Sequence, residues 1–148
     1  MRITQEADYA LRIVSLLAAS DTVCGATEIA EQSGVPVRFA HKILRKLMQG
    51  GVLRSYPGAK GGYRLLREPE SLSMLEIIEL IDGKLSISKC ADDEYICSKN
   101  GTMKQQCVYH HIFQQISDDI AGKLRRLTIA EVIDQNNQLS EILKKLHD

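Results

Sequence analysis

The sequence has no tryptophan and only two phenylalanines, so its core has to be aliphatic. It has no long apolar run behind its charged start, Met1-Arg2-Ile3-Thr4-Gln5-Glu6, which argues against a signal peptide and a membrane span and for a cytoplasmic location. In that compartment thiols stay reduced, so the four cysteines read as metal ligands or redox sensors rather than as structural disulfides. There is no internal repeat and no low-complexity tract. A Gly-rich phosphate loop, paired carboxylates in an apolar setting and an oxyanion motif are all missing, which argues against an enzyme even though Cys107 stands at helical spacing from His110 and His111. Net charge is also missing, with 19 basic and 19 acidic residues. What remains is a chain of 148 residues, 44% hydrophobic, consistent with one small globular domain or such a domain with a helical arm.

The zero net charge hides an asymmetry. Residues 1–67 carry ten Lys/Arg against five Asp/Glu, and residues 68–148 carry nine against fourteen. A basic half joined to an acidic half suggests that the first half meets a polyanion. Within it, residues 4–20 read as a helix with Thr4 as N-cap and an apolar face of Tyr9, Ala10, Ile13, Leu16 and Leu17. Residues 26–33 make a second helix, capped by Gly25 or Thr27, and Gly34 breaks it. Pro36 opens a third, reaching about Met48, with Ala40, Ile43, Leu44 and Leu47 inward. Helix, Gly-containing turn and helix form the helix-turn-helix signature. Arg38, Lys42 and Arg45 share one side of the third helix, a stripe suited to phosphates and base edges, and His41 lies on the same helix. Residues 52–56 and 62–66 then form a hairpin, a basic wing with Lys60 near its tip and Arg64 beside it.

Farther on, Ser73 and Glu76 predict a capping box, with Leu72 stapled to Ile77, for a helix ending at Gly83. A long helix spans about 105–127. Its Ile112, Ile116, Ile120 and Leu124 form an i+4 ridge longer than a small domain covers, which predicts burial against a second copy of the chain, with packing against the first helix of the same chain as the alternative or an addition. Thr128 and Glu131 predict another capping box, with a Leu127–Val132 staple. Residues 135–138 read as a polar break before a last amphipathic helix.

Between these helices lies a cysteine stretch. Six residues separate Cys90 from Cys97 and nine separate Cys97 from Cys107, and His110 and His111 follow at once. Thiolates and imidazoles are the ligands that iron–sulfur clusters and zinc select. The stretch is polar and reads as a metal-holding loop that ends on the first turn of the long helix. Structural zinc sites pair ligands two to four residues apart, so zinc fits these gaps poorly. A metal-free thiol switch stays open. Cys24, set apart between the first two helices, reads as a buried core residue.

Asp8-Tyr9-Ala10-Leu11-Arg12, Glu28-Ile29-Ala30-Glu31, Lys42-Ile43-Leu44 and Gly58-Ala59-Lys60-Gly61-Gly62-Tyr63-Arg64-Leu65 carry a resemblance. Over residues 1–134 the chain resembles the bacterial winged-helix regulator family of IscR, NsrR, RirA and CymR. The resemblance implies a mainly α fold with a small β-hairpin wing. Residues 1–82 would be the winged helix-turn-helix domain, 83–106 the sensor loop, 107–134 the dimerisation helix and a short helix, and 135–148 a tail. It implies a homodimeric repressor on palindromic double-stranded DNA, with Tyr63 joining Arg38, His41, Lys42, Arg45, Lys60 and Arg64 among the DNA-binding residues. It also implies an iron–sulfur cluster, 2Fe–2S favoured and 4Fe–4S possible, on Cys90, Cys97 and Cys107. His110 is in the family register for the fourth place, and His111 or the partner's Asp8 or Glu6 are alternatives. Cluster binders of the family have about five residues in each gap, so the spacing here departs from the pattern. Some members instead sense a protein partner.

Overall fold

The structure, a computed structural model, describes residues 3–92, 94–134 and 139–147. Helix α1 (Gln5–Ala18) is capped by Thr4, whose hydroxyl accepts a hydrogen bond from Ala7 N at 3.2 Å. Ala7, Ala10, Ile13, Val14 and Leu17 of α1 are buried, and the helix packs against α2 (Ala26–Ser33), α3 (Val37–Gln49), α4 (Met74–Asp82) and α6 (Ile129–Ile133). Burying one aliphatic side chain of this size contributes about 1.5–3 kcal/mol. Gly25, not Thr27, caps α2, and Gly34 closes it at φ 67°, the left-handed conformation that glycine adopts without steric cost. Pro36 stands as the N-cap of α3 rather than as its first residue. The core is aliphatic, with Ile13, Leu17, Ile29, Ile43, Leu44, Leu47, Leu72, Ile77 and Ile129 all enclosed.

Strands β1 (Leu53–Tyr56) and β2 (Gly62–Leu65) pair antiparallel, with Leu53 opposite Leu65 and Arg54 opposite Arg64. The sequence gives no hint of a contact to this sheet from outside the hairpin, but Cys24 forms an isolated bridge to it by a reciprocal backbone pair with Tyr63, at 3.0 and 2.8 Å. That pairing explains Gly62, while the hairpin's own turn explains Gly61. A Cβ on Gly61 would stand 2.1 Å from the carbonyl oxygen of Tyr56, and one on Gly62 would stand 2.2 Å from that of Cys24.

The chain then turns through Pro69–Ser71 into α4. The predicted capping box there is half made. Ser73 Oγ accepts from Glu76 N at 3.1 Å, while the Glu76 carboxylate turns to the Arg67 guanidinium. A charged two-pronged donor outcompetes a single backbone N–H. Helix α5 (Val108–Arg126) starts later than the periodicity suggests, after a 3-10 turn at Lys104–Gln106, and packs on α4. The box at Thr128 and Glu131 forms in full, but Val132 stays exposed, so the staple with buried Leu127 is not closed. Reciprocal backbone bonds from Met74 N to Leu127 O and from Ile129 N to Leu72 O, 2.9 and 2.8 Å, tie α4 to the α5–α6 junction. Residues 135–138, read as a polar break, lie outside the described residues. Helix α7 (Leu139–Lys144) is held by the Lys123 ammonium on Leu146 O and by a Lys145–Glu131 ion pair.

The close approach at the wing makes a prediction. Gly62→Ala is expected to lower stability by about 1–3 kcal/mol, the scale of a forced backbone rearrangement. Gly25→Ala, beside the same contact but with open space around it, should cost less than about 1 kcal/mol. Thermal melts of the two variants compare them, and equal melting temperatures would refute the packing argument.

Candidate functional site: a basic face and a cysteine loop

Helix α3 carries no acidic residue, and Arg38, His41, Lys42 and Arg45 all stand exposed on it. The Arg38 guanidinium lies 4.9 Å from the Phe39 ring, which packs in turn against Tyr9 at 5.9 Å, so aromatic contacts fix its direction. Among the described residues, neither Arg38 nor Arg45 has a carboxylate partner. Lys42 and Lys46 do, and both pair with Glu6 of α1, at 2.9 and 2.6 Å. The Lys46 ammonium first, then that of Lys42, holds the Glu6 carboxyl below the usual range.

The wing has two faces because side chains alternate along a strand. Leu53, Tyr63 and Leu65 face inward, and Tyr63 and Leu65 pack against the core. The Tyr63 ring is thus half-buried on the inner side of the hairpin. Alternation in the sequence carried the signal, since Tyr63 sits two residues from Leu65. Arg54, Tyr56 and Arg64 share the outer face, with Arg54 directly opposite Arg64 and its guanidinium 5.6 Å from the Tyr56 ring. Lys60 is exposed in the turn. Sequence reasoning missed Arg54, whose place opposite Arg64 follows only from the register. Two like charges facing each other across a hairpin oppose folding, and an anion between them reverses that effect.

The cysteine loop is pinned at several points. At its base, Asp82 accepts hydrogen bonds from Thr4 N, at 3.0 Å, and from the Thr4 hydroxyl. Leu85 N donates to Glu79 Oε1 at 3.0 Å and Ile87 N to the buried Ser117 hydroxyl at 3.1 Å. Cys90 lies in a 3-10 turn, 3.2 Å from the Ser88 hydroxyl. Cys97 and Gly101 exchange backbone bonds of 3.1 and 2.8 Å, closing a tight turn. Backbone N–H groups of Asn100 and then Lys99 aim at the Cys97 sulfur and hold its thiol below the usual range. Buried Lys104 reaches back to the Asp92 carbonyl, joining the two halves of the loop. Cys107 is the N-cap of α5.

The two histidines differ. His111 is exposed, and its Nε2 meets the Gln105 carbonyl at 2.6 Å. His110 is 9% exposed, and its Nδ1 is enclosed without a hydrogen-bond partner. Among the described residues, no three His, Cys, Asp or Glu side chains gather closely enough to hold a metal ion. Cys90, Cys97, Cys107 and His110 are soft and borderline donor types that this arrangement does not bring together. Asp8 is bound to Arg12 at 2.7 Å and Glu6 to its two lysines, so both carboxylates named as alternative ligands are already engaged.

On α5 the ridge is open. Val108 is 69% exposed, Ile112 46% and Ile116 41%, while Ile120 and Leu124 are half-buried. No helix is long and apolar enough to cross a membrane among the described residues.

Residues 3–135 match the family model "Rrf2: Iron-dependent Transcriptional regulator". A putative rrf2-like HTH-type transcriptional regulator of Rhodobacter capsulatus is 29% identical, the match covering 96% of this chain and 99% of that protein. The HTH-type transcriptional regulator IscR of Escherichia coli is 24% identical, covering 99% of this chain and 88% of its own length. The solved structure of CymR, the global cysteine regulator of Bacillus subtilis, superposes with a TM-score of 0.71 at 20% identity, over 93% of this chain and 99% of that one.

The facing arginines of the wing are testable without DNA. Arg64→Thr should melt at the same or a higher temperature than the parent at low ionic strength, by the few tenths of a kcal/mol that a removed cross-strand repulsion amounts to. Salt screens such a pair, so the difference should shrink at high ionic strength. A clear loss of stability at low salt would show that Arg64 is held by a favourable contact instead.

Proposed function

This chain belongs to the Rrf2 family of transcriptional regulators, and we propose that it works as a homodimeric repressor whose hold on operator DNA is set by an iron–sulfur cluster. That it is a DNA-binding regulator and not an enzyme follows from the family. The basic helix and wing support a docking in which α3 enters the major groove while the outer face of the hairpin meets the backbone. Arg38, His41, Lys42 and Arg45 then read or position the DNA from α3, and Lys60, Arg64 and Arg54 do so from the wing. Tyr63 serves by packing the wing onto the core.

The observation that carries the reading of the loop is His110. A buried imidazole nitrogen without a partner is costly in a finished fold, and this one lies three residues beyond Cys107. Cys90, Cys97, Cys107 and His110 would hold a cluster, 2Fe–2S favoured and 4Fe–4S possible. Such a group, when bound, supplies a centre whose loss or redox change reports on iron and oxidants, and a histidine ligand raises its potential relative to thiolate. The chain's own residues give the route from loop to DNA. Closing the loop would tighten its base at Asp82, Asp82 holds Thr4 at the start of α1, and α1 packs against α3. In a dimer whose α5 ridges pack together, that route sets the separation of the two recognition helices against the roughly 34 Å spacing of operator half-sites. Loss of the ligand frees the loop and shifts the population of DNA-competent dimers. Both steps take place in the cytoplasm, where the DNA is.

Cys97 supports a second reading. Its lowered thiol pKa suits a metal-free thiol switch. Protein purified without oxygen separates the two. Visible absorbance with matching iron and sulfide, abolished in Cys97→Ser together with a changed operator affinity but retained in Cys24→Ser, is the expected outcome. A colourless protein whose DNA binding responds to thiol oxidants would replace the cluster with the switch.

The dimer is tested by Ile116→Glu, which places a charge on the exposed ridge. Desolvating it without a partner is worth several kcal/mol, so this variant should sediment as a monomer or fail to stay soluble. A stable, soluble dimer would move the interface elsewhere.

A further inference from the structure

Four cations line α3, and they are not equivalent. Arg38 and Arg45 have no carboxylate partner among the described residues, whereas Lys42 and Lys46 share one carboxylate from another helix. Each oxygen of Glu6 serves one lysine, Oε2 to Lys42 Nζ at 2.9 Å and Oε1 to Lys46 Nζ at 2.6 Å. The Glu6 side chain is only 19% exposed, while that of Lys42 is 57% exposed on the outward side of the helix. An anionic group with two oxygens, held between two lysines of a helix-turn-helix recognition helix, has the charge and donor demand of a DNA phosphate. We infer that Glu6 is an internal phosphate mimic, a positioning residue that occupies Lys42 and Lys46 in the DNA-free protein and competes with the nucleic-acid backbone for them.

This inference rests on α3 being the DNA-binding helix. The competition follows from simple electrostatics. A lysine can neutralise Glu6 or a phosphate, and only the second releases a counterion from the DNA. While Glu6 keeps Lys42, the protein makes fewer phosphate contacts than its cation count suggests, and its binding depends less steeply on salt. The two arginines, free of such pairing, remain available for base edges, to which guanidinium groups make two-pronged contacts. Holding back the lysines lowers the sequence-independent part of the affinity and leaves the sequence-reading part in place. Glu6 thereby favours operator over random DNA. Its position in the first turn of α1, two residues from Thr4 and hence from the Asp82 anchor at the base of the cysteine loop, puts this competition within reach of the loop.

The test uses the full chain and a random-sequence duplex, so that no operator has to be known, with affinity measured across a range of salt concentrations. Glu6→Gln should bind the duplex roughly threefold or more tightly at low salt, and its log affinity should fall more steeply with log salt by about 0.9 for each lysine released. In a Lys42→Ala, Lys46→Ala background, Glu6→Gln should change neither quantity. Should Glu6→Gln fold too poorly to assay, Glu6→Ala, which also removes the carboxylate, is read the same way. An unchanged salt slope in the single variant, or a gain that persists in full without the lysines, overturns the inference. Arg38→Ala with Arg45→Ala is the separate arm for the functional reading: if duplex binding is undiminished in that variant, α3 is not the DNA-binding helix and the reading itself fails.

Discussion

Everything in this molecule is arranged on the burial of α1. Ala7, Ala10 and Ile13 have no exposed surface, and the helix touches α2, α3, α4, α6 and β2. The two alanines matter as much as the large side chains, because small residues let neighbouring backbones close in. With α1 enclosed on most sides, α3, the wing and the base of the cysteine loop all rest on one element.

Charge is laid over this frame in a way that works against folding in isolation. Arginines face each other across the wing, and two arginines on α3 have no carboxylate partner among the described residues. Unpaired positive charge on one face is what a polyanion partner requires. Where the fold does neutralise cations on α3, it does so with Glu6, from the helix that organises the core.

The cysteine loop follows a different logic. Its ends are fastened by Asp82, Glu79 and Ser117, and Lys104 ties its middle, yet its thiols are dispersed. His110, in the first turn of α5, is enclosed with a ring nitrogen that has no hydrogen-bond partner. The apolar ridge of α5, exposed at Ile112 and Ile116, leaves that helix unfinished in a single chain.

The sequence by itself determined the local decisions. Thr4, Ser73 and Thr128 cap helices as their types predict, Gly34 turns left-handed, and the apolar spacing of α1 and α3 marks their buried faces. These are legible because each depends on neighbours within one or two turns of chain. The aliphatic core, the helix-turn-helix and the hairpin followed from the same short-range signals, and the family resemblance from the residues that make them. Tertiary structure decided whatever needed a distant partner. Glu76 chose Arg67 over its own helix end, Cys24 bridged to Tyr63, and that pairing required Gly62. Tyr63 turned inward, Arg54 came to face Arg64, and Glu6 found Lys42 thirty-six residues away. Polar side chains have several acceptable partners, and the sequence ranks them only by type. Which partner is near enough to win is a property of the packed fold.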